Sequence, residues 1–284
     1  MYDTLRPELI TATDRQRAQM KYDPTFVVEK SMFFQNQFPY LEVRRPFILG
    51  TREKKWKATL AHHFVELLHK KTEKLTRLYT QNIDGLQFQC DGIPREKIVC
   101  IHGTIGLVEC ENCGHSVDLG EFCDNVKSSI KDIYGLDKEA PTTSSEIKCV
   151  SCGQPTLKPA TVLFGGSLPE EFFSLAQEDL PKLDLLIIAG TSLVVSPANS
   201  ISYNVPDRTI RLIINNEPVG QELGIKYHDD GTNTRDVFVE GDCEEVFLNL
   251  MCLLGWHEDI LGVRDVLPEA SLKLVDEKRG MNDG

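Results

Sequence analysis

With 284 residues, the chain can bury a sizeable core, as one large domain or as a domain carrying an insertion. Its hydrophobic fraction of 41% and charged fraction of 26% are those of an ordinary globular protein, and no stretch approaches the length of a membrane span. Lys plus Arg number 31 against 43 for Asp plus Glu, a net charge of −12, which argues against direct binding to nucleic acid or anionic membrane and suits basic polypeptide partners.

Met1-Tyr2-Asp3-Thr4 has neither the charged leader nor the apolar core of a secretory signal. Nine cysteines are an odd count, and four of them form two Cys-x-x-Cys pairs, so metal binding is expected rather than a disulfide framework. That chemistry belongs in a reducing compartment, and an intracellular site, cytoplasmic or nuclear, is expected.

Residues 1–71 read as a helical module. Between Tyr22 and Phe38, the apolar residues Phe26, Val27, Val28, Met32, Phe33 and Phe34, bracketed by Pro24 and Pro39, predict one or two short helices. Trp56, Leu60, Phe64, Leu67 and Leu68 recur mostly at three or four residues and predict an amphipathic helix ending in the basic His69-Lys70-Lys71. His62 and His63 on this helix are read as packing or surface residues.

Thr76–Thr80 and Ile98–Ile101 read as short buried strands that stop at Gln81-Asn82-Ile83-Asp84-Gly85 and at His102-Gly103. Residues 105–155 form a separate unit, in which Cys110, Cys113, Cys149 and Cys152 can supply four thiolates to one tetrahedral Zn²⁺. A redox dithiol would need only one pair. Asp124–Lys148 is polar and reads as a loop. From Thr156, strands are expected at Thr161–Phe164, Leu183–Ala189, Thr209–Ile214 and Val237–Val239. Helices are expected at Glu170–Asp179, after Pro197 and at Glu244–Leu254, the last capped by Asp242. Alternating strands and helices imply a doubly wound parallel, Rossmann-like α/β sheet over 72–104 and 156–260. Residues 261–284 form a charged tail, with fraying expected from 264.

In an open parallel sheet, ligands bind at the carboxyl ends of the strands. Asn82 and Asp84 suit sugar hydroxyls and an amide, and His102 suits a general base near neutral pH. Alone, a His-Gly at a strand end is more often structural. Taken in order with the two cysteine pairs, Lys158–Gly165, Gly190-Thr191-Ser192-Leu193, Ile214-Asn215-Asn216-Glu217 and Gly241-Asp242-Cys243, the set resembles the sirtuins, NAD-dependent protein lysine deacylases.

The resemblance runs from about Tyr2 to Trp256 and implies NAD and a structural Zn²⁺ as bound groups, with acetylated proteins or peptides, histones among the candidates, as substrates. It implies that the acyl group passes from lysine to ADP-ribose with loss of nicotinamide, and that His102 is the base. Gln81, Asn82, Ile83 and Asp84 would hold nicotinamide and its ribose. Gly190, Thr191 and Ser192 would approach the phosphate and adenosine ribose, Asn215, Asn216 and Glu217 the adenosine ribose, and Cys243 the adenine through its backbone. Val162, Phe164 and Gly165 would form the substrate strand, with Phe164 lining the acyl-lysine tunnel. Where the family has Gly-Glu after this Phe, the chain has Gly165-Gly166.

The family's opening strand, its Gly-Ala-Gly-x-Ser loop and the Asp-Phe-Arg that follows are absent, and no Gly-x-Gly occurs elsewhere in the chain. That loop's backbone amides would cradle the pyrophosphate, so weak NAD binding and little deacylation are expected. Met1 as an internal methionine of a longer reading frame and Met1 as the start of a shortened isoform both stay open. Beside the deacylase reading stand a non-catalytic binder of acyl-lysine peptides or of a protein partner and, behind it, an ADP-ribosyltransferase.

Overall fold

A computed structural model describes residues 5–227 and 235–282. Tyr2-Asp3, where the family resemblance begins, lies outside them. The chain divides into two units: residues 1–56, 82–85 and 102–168 form one, and 57–81, 86–101 and 169–284 the other.

The first unit opens with helix α1 (Asp14–Tyr22), started by a reciprocal capping box between Thr13 and Gln16. Helix α2 (Lys30–Gln35) and helix α3 (Phe38–Arg52) follow, with Pro39 in the first turn of α3, where its missing N–H is harmless. The short helices expected between Tyr22 and Phe38 are present, and α3 runs on through Pro46. Strands β3 (Gly103–Cys110), β4 (Ser116–Val117) and β5 (Leu157–Thr161) form an antiparallel sheet in the order β4-β3-β5. Its core joins Phe33, Tyr40, Leu41 and Ile48 from the helices to Ile105, Val108 and Leu157 from the strands.

Two expectations are corrected here. The strand expected at Thr161–Phe164 is β5 and ends at Thr161; Val162 to Phe164 continue outside it. The loop expected at Asp124–Lys148 begins inside helix α5 (Leu119–Ser129), whose Phe122, Cys123 and Val126 are buried at helical spacing. The irregular remainder is held by Arg45 to Asp137 at 2.6 Å and by Ser144 Oγ to the buried Glu42 at 2.6 Å.

The second unit holds helix α4 (Leu60–Thr72), two parallel sheets and the C-terminal helices. Strand β1 (Leu78–Thr80) pairs in parallel with β2 (Ile98–Cys100). Strands β6 (Leu185–Ala189), β7 (Ile210–Asn215) and β8 (Asp236–Glu240) pair in parallel in that order, with helix α6 (Glu170–Asp179) before β6. The parallel pairing is as expected, but it is split: among the described residues β1 pairs only with β2, and β6 only with β7. Five consecutive apolar residues suit a strand covered on all sides, yet Leu185 in β6 is 49% exposed.

Arg211 on β7 is buried and bonds both carboxylate oxygens of Asp236, at 2.5 and 2.6 Å, and the carbonyls of Ser202 and Gly224. Every charge it buries is therefore paired or hydrogen-bonded. Helix α7 (Cys243–Leu253) packs on α4 through Phe64 and Phe247, 4.7 Å between rings. The Glu244 carboxylate accepts the Leu60 and Ala61 amides at the start of α4 and the Ser271 hydroxyl. Ser271 lies on helix α9 (Glu269–Asn282), after helix α8 (His257–Gly262). The fraying expected beyond residue 264 is thus corrected: Leu267, Ser271 and Val275 are buried, and the apolar pair packs on α4 and α7.

Candidate active site and zinc centre

In the second unit the three strands of the larger sheet deliver their carboxyl ends to one edge, because parallel strands must. β6 ends at Gly190-Thr191-Ser192, β7 at Asn215-Asn216-Glu217 and β8 at Gly241-Asp242-Cys243. The Gly190 amide donates to Ile214 O at 3.1 Å and Gly241 N to Asn215 O at 3.1 Å, which ties the three turns together. Gly190 has φ +60, and a Cβ there would lie 3.3 Å from Cys243 Sγ, so glycine suits both the backbone and the space. Thr191 Oγ1 accepts the Leu193 amide at 3.2 Å and the Gln81 side-chain amide at 3.3 Å, joining the end of β1 to the end of β6. Ser192, Asn216 and Glu217 are exposed, and the Asn215 side chain donates to Glu217 O at 3.1 Å. Of the eight residues expected on this unit, Gly190–Ser192 and Asn215–Glu217 thus lie at strand ends of the larger sheet or in the turns after them, Cys243 opens helix α7 just beyond β8, and Gln81 follows β1 of the smaller sheet.

In the first unit, Asn82, Ile83 and Asp84 accompany His102. The Ile83 carbonyl accepts the Ile105 amide at 2.8 Å, and the Ile83 side chain packs on the core, so this loop is fixed against β3. Asn82 is exposed and Asp84 half-buried. His102 is half-buried, directly after β2, and its carbonyl accepts the Val162 amide at 2.9 Å. Gly103 explains the pairing His-Gly: it has φ +74, and a Cβ would come within 1.9 Å of Ala160 O. Beyond β5, Phe164 has an exposed side chain, but its backbone is already engaged. Its N–H donates to Val28 O at 3.0 Å and its carbonyl accepts Lys30 N at 2.9 Å. A peptide adding to this segment must therefore use the opposite edge.

The model of the Sir2 family matches residues 13–197. Among curated proteins, the NAD-dependent protein deacetylase hst2 of Schizosaccharomyces pombe is 30% identical over 96% of this chain and 75% of its own length. The NAD-dependent deacetylase sir2C of Dictyostelium discoideum is 35% identical over 74% of this chain and 44% of its own. Mouse NAD-dependent protein deacetylase sirtuin-3 is 32% identical over 92% of this chain and 66% of its own.

This chain belongs to the Sir2 family.

The Sir2 assignment leaves the metal to be tested on the residues themselves. Cys110, Cys113, Cys149 and Cys152 bring one sulfur each to within 4.8 Å of one another, Cys110 to Cys152 at 3.6 Å and Cys113 to Cys149 at 3.8 Å. None is in a disulfide. Two like-built knuckles present them: Gly114 N donates to Cys110 O and Gly153 N to Cys149 O, both at 2.8 Å, with Gly114 and Gly153 at φ +70 and +71. Burial pushes the Cys110 thiol up, but Thr156 and backbone amides outweigh it and bring it down; at Cys113 the backbone hydrogen bond from His115 pulls the thiol down, and desolvation with the facing sulfurs outweighs it and pushes it up. Sulfurs that compete for protons in this way are a good set for a dication, and four thiolates complete a tetrahedral zinc shell. The four cysteines therefore fit a structural Zn²⁺.

Glu111, inside the first pair, adds what cysteine spacing does not reveal. It bonds Lys30 at 2.8 Å and the fully buried Lys158 at 2.9 Å, so the knuckle is charge-locked to α2 and β5. The histidines of α4 also separate. His62 closes the capping box with Thr59, whereas His63 is buried against Glu66.

Proposed function

We propose that this chain is an NAD-dependent protein lysine deacylase, acting on acetylated proteins or peptides. The observation that carries the reading is the coincidence of family membership with the placement of Gly190–Ser192, Asn215–Glu217 and Cys243 along one sheet edge. Asn82 and Asp84 supply a side-chain amide and a carboxylate for the nicotinamide ribose and carboxamide, with Gln81 held by Thr191. His102 takes the proton from a ribose hydroxyl, so that the oxygen can attack the acyl carbon; its backbone is held by Val162, which limits how far the imidazole can wander. NAD supplies the electrophilic ribose carbon, and the chain's own residues supply position and the base. Ile83, packed on the core, and the exposed Asn216 complete the two turns.

The substrate peptide runs along Val162, Phe164 and Gly165 on the edge away from Val28–Lys30, with histone tails among the candidates for an acidic chain of net charge −12. Neither nucleic acid nor membrane is needed by this chemistry; among the described residues no helix is long and apolar enough to cross a membrane. Nine unpaired cysteines support a reducing compartment, cytoplasmic or nuclear.

The test is nicotinamide release with an acetyl-lysine peptide and NAD. Release that depends on the peptide and on His102 supports the deacylase. Peptide binding without release supports the non-catalytic reading. Release with transfer of ADP-ribose to the peptide supports the transferase.

A further inference from the structure

Helix α4 and the turn after β1 build a second cluster of metal-binding side chains in the second unit, well separated in sequence from the four cysteines. His63 and Glu66 stand three apart on one face of α4, and Cys90 comes from the turn that follows the 3-10 stretch Leu86–Gln89. All three are more than nine-tenths buried. One ligand atom from each lies within 4.8 Å of the others, with His63 Nδ1 at 3.0 Å from Glu66 Oε2 and 3.8 Å from Cys90 Sγ.

We propose that His63, Glu66 and Cys90 form a second metal site, for Zn²⁺, held through Nδ1, Oε2 and Sγ. For bond lengths of about 2.0–2.1 Å to nitrogen and oxygen and about 2.3 Å to sulfur, a tetrahedral ion needs N···O near about 3.3 Å and N···S near about 3.6 Å. The observed N···O of 3.0 Å is a little shorter and the N···S of 3.8 Å a little longer than these values, so small side-chain shifts close the site. The donor set of imidazole, carboxylate and thiolate is one that borderline Zn²⁺ accepts and that Mg²⁺ and Ca²⁺ do not.

The surroundings orient the carboxylate as an outer shell does. Glu66 Oε1 accepts Lys70 Nζ at 2.7 Å and the Gly92 amide at 2.9 Å, which leaves Oε2 turned to His63. Gly92 leaves room for this approach, since a Cβ would lie 2.0 Å from Lys70 Cε and 2.7 Å from Glu66 Oε1. On binding, the Cys90 proton leaves to solvent and the neutral imidazole carries its single proton on Nε2, which leaves the Nδ1 lone pair to the ion. Thiolate and carboxylate then match the charge of the ion, and a water completes the shell. Buried among Ala58, Leu75, Ile93 and Ile98, such a site fastens α4 to the segment between β1 and β2.

The test is zinc content per folded chain, by elemental analysis of the full protein after zinc loading and removal of free metal. About two zinc ions per chain are expected, one for each cluster. Cys90→Ser and His63→Gln should each lower the content to about one. Co²⁺ loading should add, in the wild type and not in Cys90→Ser, a charge-transfer band from a single thiolate. A wild-type content of one, with all of it lost when Cys113 and Cys152 are changed to Ser, overturns the proposal however the Cys90 variant folds. Because the readout is metal content, it is independent of whether the chain deacylates.

Discussion

The carbonyl of His102 and the amide of Val162 are joined by a hydrogen bond of 2.9 Å. The proposed base and the proposed peptide strand are thus two ends of one backbone contact, and neither can shift without the other. His102→Ala removes the imidazole but keeps this bond. It should lower acyl transfer at least about a hundredfold, the low end for loss of an acid–base group, with thermal melting unchanged within about 2 °C. Retained turnover of an acetylated peptide would assign the base elsewhere.

Gly103 sets the geometry behind that contact. Gly103→Ala meets both the φ of +74 and a Cβ 1.9 Å from Ala160 O, so it should destabilise by more than about 2 kcal/mol. Gly135 has φ +70 with open space around it, and Gly135→Ala should cost only about 1–2 kcal/mol. Urea midpoints of the two variants check the order; equal losses would leave the clash without effect.

Chelation should act on the first unit through the four cysteines. Removing zinc from the four cysteines uncouples the knuckles on β3 and β5, because metal binding and folding are linked. The two tryptophans report separately, Trp56 in the first unit and Trp256 in the second. In Trp256→Phe the remaining fluorescence should change on treatment with a strong chelator. In Trp56→Phe, where Trp256 alone remains, a change would report loss of metal from the second site.

Acid should loosen the second unit through Asp236. Burial raises this carboxyl's pKa, but the Arg211 hydrogen bonds and the Lys226 amide outweigh it and hold the pKa below the usual carboxylate value. A group depressed in the folded state stabilises above its unfolded pKa, about 3.9, and that stabilisation is lost as pH falls through the folded value. Asp179, held down against its own burial by Arg77 and Tyr79, has the same sign. Denaturation midpoints should therefore decline from about pH 4 downward. Asp236→Asn leaves the 1%-exposed Arg211 unpaired and should cost about 3–5 kcal/mol at neutral pH.

The open strand edges are checked by hydrogen exchange. Gly190 N donates to Ile214 O and Asp184 O accepts Ile210 N, so the even-numbered residues of β6 face β7. The Leu186 and Ile188 amides should exchange slowly, and those of Leu185, Ile187 and Ala189 quickly. Uniform protection along β6 would mean that a second neighbour covers it.

Much of the site was legible because its residues follow apolar runs. Leu185–Ala189 and Ile210–Ile214 announce strands, and parallel strands send Gly190, Asn215 and Cys243 to one edge. The cysteine cluster was legible from spacing alone. Helix α5 was hidden by a polar neighbourhood, although Leu119, Phe122, Cys123 and Val126 carry its period. Helix α9 was hidden because its few buried residues sit among charges and find their partners on α4 and α7, far away in sequence. Cys90 gave no signal, since its companions are 27 and 24 positions upstream. The ion pairs of Glu111 and Asp236 are likewise tertiary: nothing local marks which carboxylate meets which cation.

Glu244 has a mechanical consequence. One carboxylate in the first turn of α7 grips the first two amides of α4, and the same carboxylate takes the hydroxyl of Ser271. The three helices are riveted at a single point one residue from Cys243, so they cannot slide past one another while that grip lasts. A push on the turn at Gly241–Cys243 is carried as a rigid displacement into α4 rather than absorbed in a hinge, and probes placed on α4 and α7 should keep a constant separation until the unit as a whole melts.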